Sequence, residues 1–169
     1  MGTHIRLATP EDATDVCAVV RRSIAECCAE DHRNDPTLVD RWLRNKTVTN
    51  TLSWLKNTQA CSVVAEDNGS AVGFGMSQAD KILLCYLVPE VRFKGIGKSM
   101  LQALETHALG IGISSLRLES TRTALSFYER NGFQQTGPAV SAFGLAVHPM
   151  AKTIDSRTPL FTEEIGFQP

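Results

Sequence analysis

The sequence predicts a mixed α/β domain, and three stretches carry that expectation. CSVVAEDNGSAVGFGMS (61–77) sets two apolar, β-rich runs either side of Asp67-Asn68-Gly69-Ser70, the signature of an antiparallel hairpin. KILLCYLV (81–88) is a nearly continuous apolar run, the pattern of a strand buried on both faces. From Gly95 or Gly97 to about Leu109 the spacing of Met100, Leu101, Leu104 and Ala108 predicts a helix with one apolar side.

The remaining elements follow in chain order. HIRLA (4–8) alternates as a short strand. TPEDATDVCAVVRRSIAECC (9–28) reads as a helix with Thr9 as N-cap, Pro10 at the first helical position, and Glu11 and Asp12 in the first turn. Its residues Ala13, Val16, Val20, Ile24 and Cys27 form one stripe at helical spacing. AEDHRNDP (29–36) is polar and ends in proline, so a loop is expected; PTLVDRWL (36–43) and TNTLSWLKN (49–57) look like shorter helices. SLRLES (115–120) is a strand, and TRTALSFYERN (121–131) a short helix closed by Gly132. GFQQTG (132–137) and SAFGLAVHPMAKTI (141–154) finish with two more strand-like runs. There is no internal repeat and no linker, which predicts one domain over 1–154 and a tail over 155–169. Leu160, Phe161, Ile165 and Phe167 suggest that the tail docks on the domain or on a second subunit, the latter making a homodimer.

Composition narrows the function. The chain has 169 residues, enough for one sizeable core, with 43% apolar and 21% charged residues. A formal net charge of −1 gives no global attraction to nucleic acid or to an anionic membrane. The first residues carry no apolar stretch of signal-peptide length, and Arg6 stands where a myristoylation signal needs serine or threonine. No segment approaches the roughly 18 apolar residues of a membrane span. The five cysteines, at 17, 27, 28, 61 and 85, form no CxxC pair, and none of His4, His107 and His148 has a partner at ligand spacing, so no metal is expected. The cysteines read as small buried apolar residues in a reducing, cytoplasmic compartment.

RFKGIGKSM (92–100) contains the GKS of a phosphate-binding P-loop, but that motif needs glycine where Arg92 stands. A dinucleotide fingerprint fails as well, because Met100 occupies its third glycine position. The chemistry of the stretch nevertheless suits an anion. A strand stops at Pro89, a basic loop with Arg92 and Lys94 follows, and glycines open a helix whose free N–H groups and dipole favour negative charge. Lys98 adds to that charge, and the glycines let the backbone approach a ligand closely. The expectation is a phosphate-bearing ligand lying across a strand end and a helix start.

The pattern Arg92, Gly95, Gly97 resembles the acetyl-CoA-binding motif of the GNAT superfamily of N-acetyltransferases, with Leu87-Val88-Pro89 just upstream in place of the family's Val-x-Pro. A second block, Ala124, Phe127, Tyr128 and Gly132-Phe133, stands about where that family has its own. The resemblance implies a single-domain GNAT fold: a mixed central sheet with a splayed central strand pair, flanked by helices. It implies acetyl-CoA as co-substrate and transfer of acetyl to a primary amine by direct attack. The backbone of Leu87 and Val88 would pair with the pantetheine amides. The N–H groups of Lys94, Gly95, Ile96, Gly97, Lys98 and Ser99 would hold the pyrophosphate, assisted by Arg92. Tyr128 would be the general acid that protonates the departing thiolate. Thr121 stands where many members carry an asparagine that bonds the cofactor arm. A sensor of the same fold, binding acyl-CoA without turnover, is the alternative; an acid near the sulfur favours the enzyme.

An amine of pKa near 10 must lose a proton before it attacks. The residues that could take it are His32, Glu30 and Asp31 in the first polar loop, Glu66 beside the hairpin turn and Glu119 in SLRLES, with His32 first because of its intrinsic pKa. The acceptor is a small-molecule or peptide amine, and Trp42 and Trp54 are candidates to line its cleft.

Overall fold

The computed structural model describes residues 2–155. The expected docking of the tail lies outside them.

Strand β1 (His4–Leu7) leads into a short 3₁₀ turn and helix α1 (Ala13–Cys27). The Asp12 carboxylate holds this junction, accepting from the Thr9 N–H at 2.7 Å and from both terminal nitrogens of Arg6 at 2.8 Å. Thr9 is extended and Pro10 opens the turn, as the sequence predicts. Val16, Val20 and Ile24 of the expected stripe are fully buried.

The stretch 29–36 departs from the expected loop. It contains a single-turn helix, α2 (Ala29–His32), followed by Arg33 and Asn34 in the left-handed region at φ 54° and 56°. Asp35 then caps α3 (Pro36–Leu43) by accepting from the Thr37 N–H at 2.8 Å, and Thr47 caps α4 (Val48–Leu55) through Asn50 at 3.1 Å.

The expected hairpin is β2 (Ala60–Asp67) and β3 (Ser70–Gln78), turned by Asn68 and Gly69 at φ 50° and 80°. Strand β4 (Lys81–Leu87) follows, then α5 (Ile96–Gly110), whose Met100, Leu101, Leu104 and Ala108 are buried. Gly73 and Gly75 in β3 make room for this helix. A Cβ on Gly73 would stand 2.7 Å from the Met100 sulfur and 2.6 Å from Leu87 Cδ2.

Strand β5 (Ser115–Ser120) alternates, with Leu116 and Leu118 inward, and α6 (Leu125–Arg130) closes in a Schellman motif. Gly132 at φ 90° lets its N–H reach the Glu129 carbonyl at 3.1 Å and that of Phe133 reach Tyr128 at 3.0 Å. The chain ends in β6 (Gln134–Gln135), β7 (Val140–Ala142) and β8 (Leu145–Thr153). Phe143 and Gly144, at φ 54° and 81°, turn β7 back onto β8.

The strands lie in the order β1-β2-β3-β4-β5-β8-β6, with β7 added to β8. All neighbours are antiparallel except β4 and β5. α1 packs on β3 and β4, while α5 packs on β2, β3 and β4. β4 is not the doubly buried strand its composition predicts. Leu83 is 41% exposed and Leu84 to Leu87 are half-buried, because the sheet opens beside them.

The described cysteines are all free thiols, and Cys17, Cys28 and Cys61 are buried. Burial raises Cys28 from its ordinary 9.0 to about 12 and Cys61 to about 11. A raised folded-state pKa stabilises fully below the unfolded value and loses that contribution as pH climbs through the window from 9 towards 11 and 12. Melting curves should therefore show stability falling from pH 8 to pH 10 by about 1.4 kcal/mol per thiol. Cys28→Ala with Cys61→Ala should flatten that decline, and an unaltered slope in the double variant would contradict the assignment.

Candidate active site

β4 and β5 are paired only at Lys81 and Arg117. The Arg117 N–H donates to the Asp80 carbonyl at 2.9 Å, its guanidinium meets Asp80 at 2.9 Å, and Lys81 lies 3.5 Å from Glu119. Beyond this vertex the strands part, and a cavity of about 790 Å³ opens between the end of β4 and the segment that follows β5. The Val88 N–H donates to the Val72 carbonyl at 3.0 Å, towards β3. Alternation along the strand therefore turns the polar groups of Leu87, and of Cys85 two residues earlier, into the gap. The Leu87 carbonyl meets only a long contact from the Cys27 thiol, at 3.8 Å.

This corrects one expectation from the sequence. The N–H of Val88 is bonded to β3, and its carbonyl accepts from Val91 at 3.3 Å. The free strand edge is offered by Leu87 and Cys85.

The turn into α5 supplies the other wall. Gly95 sits at φ 84° as the helix N-cap, and Ser99 is the first residue here whose N–H reaches back one turn, to Gly95 at 3.1 Å. The N–H groups of Ile96, Gly97 and Lys98 thus have no carbonyl one turn back within the helix. Arg92, Gly95, Gly97 and Lys98 line the cavity. Lys94 and Ser99 do not. Lys94 points to solvent, and both the N–H and Oγ of Ser99 are taken by the Gly95 carbonyl.

Phe93 was missed by sequence reasoning. It lines the cavity, is 86% exposed and holds a left-handed φ of 62°, with the Arg92 guanidinium 4.9 Å from its ring centre. An aromatic within a basic, glycine-rich turn carries no periodic signal; only the backbone reveals its position.

Tyr128 is buried on α6, its ring edge-on to Phe127 at 5.1 Å and Phe133 at 5.6 Å. Its side chain neighbours that of Cys85, which lines the cavity; Tyr128 itself is not among the lining residues. Burial pushes Tyr128 well above the usual phenol value and Cys85 up to about 12, so both stay protonated at neutral pH. Thr121 also lines the cavity, its hydroxyl accepting from the Ala124 N–H at 3.3 Å.

The proton-accepting candidates separate clearly. His32 is fully buried, with Nε2 2.8 Å from the Ile24 carbonyl and Nδ1 accepting from the Asn34 N–H at 3.0 Å. Both ring nitrogens are committed to backbone, and the ring packs edge-on to Trp42 at 6.3 Å. The structure therefore does not bring His32 to the cleft. A polar neighbourhood in sequence hid a histidine that serves as an internal cap.

Asp31 accepts from the N–H groups of Arg122 at 2.7 Å and Thr123 at 3.1 Å and from the Thr123 hydroxyl, which fixes the turn before α6. Glu66 pairs with Arg6 at 2.8 Å, at the far edge of the sheet, and Glu119 belongs to the β4–β5 vertex. Glu30 alone of the five is exposed and lines the cavity. Trp42 does not line the cavity; it packs against His32 and neighbours Tyr86, which does line it.

A sequence model of the acetyltransferase (GNAT) domain matches residues 35–154. The chain belongs to the GNAT acetyltransferase family. Acetyl-CoA is the co-substrate of that family, and the opened strand edge beside a basic helix start is built for such a ligand.

Among relatives of this GNAT chain, the uncharacterized N-acetyltransferase YhfO of Bacillus subtilis (strain 168) is 30% identical over 94 residues, or 48% of this chain and 63% of that protein. The match therefore spans less than two thirds of that relative's length. An uncharacterized acetyltransferase of Streptococcus pyogenes serotype M1 is 31% identical over 102 residues, 57% of this chain and 72% of its own. The PaiA N-acetyltransferase of Thermoplasma acidophilum, solved in complex with coenzyme A, is similar with a TM-score of 0.79 at 25% identity, covering 90% of this chain and 99% of that one. A GCN5-related N-acetyltransferase from Rhodopseudomonas palustris shares the fold with a TM-score of 0.81 at 24% identity, covering 91% and 97%. The splayed central pair that the sequence led one to expect of a GNAT fold is the β4–β5 opening.

Proposed function

We propose that the protein transfers the acetyl group of acetyl-CoA to a primary amine by direct attack, with Tyr128 as general acid. The observation that carries this reading is the position of Tyr128. Its side chain neighbours Cys85 and its ring packs edge-on to Phe127, and both of those residues line the cavity. The amides of the pantetheine arm would pair with Leu87 and Cys85 as an added strand. The pyrophosphate would lie on the N–H groups of Ile96, Gly97 and Lys98, with Arg92 beside it. A strand N–H near Leu87 faces where the carbonyl oxygen gathers charge. The neutral amine nitrogen attacks the carbonyl carbon, the carbon–sulfur bond breaks, and the sulfur takes the Tyr128 proton. The proton lost by the new amide leaves through water towards Glu30, the exposed carboxylate of the cleft.

The test is thiol release from acetyl-CoA against pools of polyamines, aminoglycosides, amino acids and lysine-containing peptides, each with a no-acceptor blank. Release above the blank with at least one pool is expected. A protein that binds acetyl-CoA yet is silent with every pool would be the sensor instead.

A further inference from the structure

Phe93 is the most exposed of the large apolar side chains described, at 86%, and it lines the larger cavity. The other two aromatic residues on that wall, Tyr86 and Phe127, are half-buried. Its backbone holds φ 62°, a left-handed conformation that glycine adopts freely and a bulky residue adopts at a cost. The Arg92 guanidinium lies over the ring, 4.9 Å from its centre, and the ring takes no part in the buried core. A large apolar side chain shown to water on a strained backbone does little for the fold. Residues held in this way gather at ligand clamps, where the ligand supplies the missing contact.

The place of the ring indicates which part of the ligand that is. In the arrangement proposed above, the pantetheine arm follows the β4 edge from Leu87 to Cys85. The pyrophosphate lies on the N–H groups of Ile96, Gly97 and Lys98. The nucleotide therefore leaves the pyrophosphate on the side away from the arm, towards the turn between Arg92 and Gly95. A single ribose separates the diphosphate from the adenine, so the base settles close to that turn. A purine needs an aromatic face there, and stacking on such a face is a strong contact. A guanidinium over one face of the Phe93 ring leaves the second face for the base.

We infer that Phe93 is the shelf on which the adenine of acetyl-CoA stacks, with Arg92 packed on the opposite face of the ring and directed to the pyrophosphate. The inference rests on the proposed placement of the pyrophosphate at α5. It is independent of the acceptor and of turnover.

The experiment is calorimetric titration of the full chain with coenzyme A and with 4′-phosphopantetheine, which keeps the arm and lacks the adenosine. Phe93→Ala should weaken coenzyme A about tenfold and leave phosphopantetheine unchanged. Phe93→Leu keeps apolar bulk without a π face, and should lose nearly as much. Phe93→Trp should bind coenzyme A at least as tightly as wild type. The indole it introduces should change its fluorescence with coenzyme A and not with phosphopantetheine. Phe93→Gly removes the ring and the strain together, so it should lose affinity with a melting temperature no lower than that of wild type. Wild-type affinity in the leucine variant, or equal losses for both ligands, would overturn the shelf. A glycine variant that melts lower would give the ring a role in the fold and overturn it too. Altered sedimentation of Phe93→Ala with unaltered affinity would overturn it in favour of a contact between chains. Wild-type protein that binds neither ligand would overturn the pyrophosphate placement as well.

Discussion

Replacing Gly97 with tryptophan is expected to remove coenzyme A binding from a protein that still folds. Gly97 lies where three parts of the cleft converge: the start of α5, the end of β4 and the ring of Phe127. A Cβ here would stand 3.2 and 3.3 Å from two atoms of that ring and 3.4 Å from Leu87 Cδ1. Phe127 and Leu87 are both half-buried, so they can yield a few tenths of an ångström to an alanine. An indole goes further and occupies the space between the free edge of β4 and the N–H groups of Ile96 to Lys98. Affinity should fall at least about 100-fold, equivalent to about 2.8 kcal/mol. Gly97→Ala, which adds only the Cβ, should lose far less. Calorimetric titration with coenzyme A reads the effect, and circular dichroism checks the fold. Wild-type affinity in the tryptophan variant would remove the α5 turn from the site.

The second large effect is on rate. Tyr128→Phe should lower kcat on the order of 100-fold while the Kd for acetyl-CoA changes little. Phenylalanine keeps the edge-on packing against Phe127 and Phe133 and loses only the hydroxyl near Cys85. Because burial lifts the Tyr128 pKa far above its ordinary value, the acid stays protonated throughout the neutral range. The kcat profile should accordingly show no fall below pH 10 from loss of this proton. Equal kcat in mutant and wild type would assign the tyrosine to packing alone.

Local pattern carried most of the architecture. The Thr9–Asp12 start of α1, the Asn68-Gly69 turn and the stripe on α5 depend on neighbours within a few residues, so they are legible without a partner. Gly95, Gly97 and Arg92 were legible for a similar reason, since a helix start needs no distant residue to expose its N–H groups. The errors arose where a partner decides. Whether Val88 or Cys85 offers its backbone to the gap depends on the pleat phase that β3 imposes on β4. An apolar run such as KILLCYLV reads the same whether a helix or an empty cleft lies beside it. His32 read as a proton acceptor in a polar loop because its carbonyl partner, Ile24, is eight residues away and Trp42 reaches it from another helix.

The single residue pair joining β4 to β5 has a mechanical consequence. The sheet consists of two leaves, β1 to β4 and β5 with β8, β7 and β6, riveted at one end by Asp80–Arg117 and Lys81–Glu119. At the same end α5 joins both, packing on the first leaf and reaching the second through the Glu105–Lys152 ion pair at 2.7 Å. A long, flexible ligand laid in the notch acts as a lashing between leaves that otherwise share little backbone. In the proposed reaction the donor is thus a temporary part of the framework, removed and replaced at each turnover.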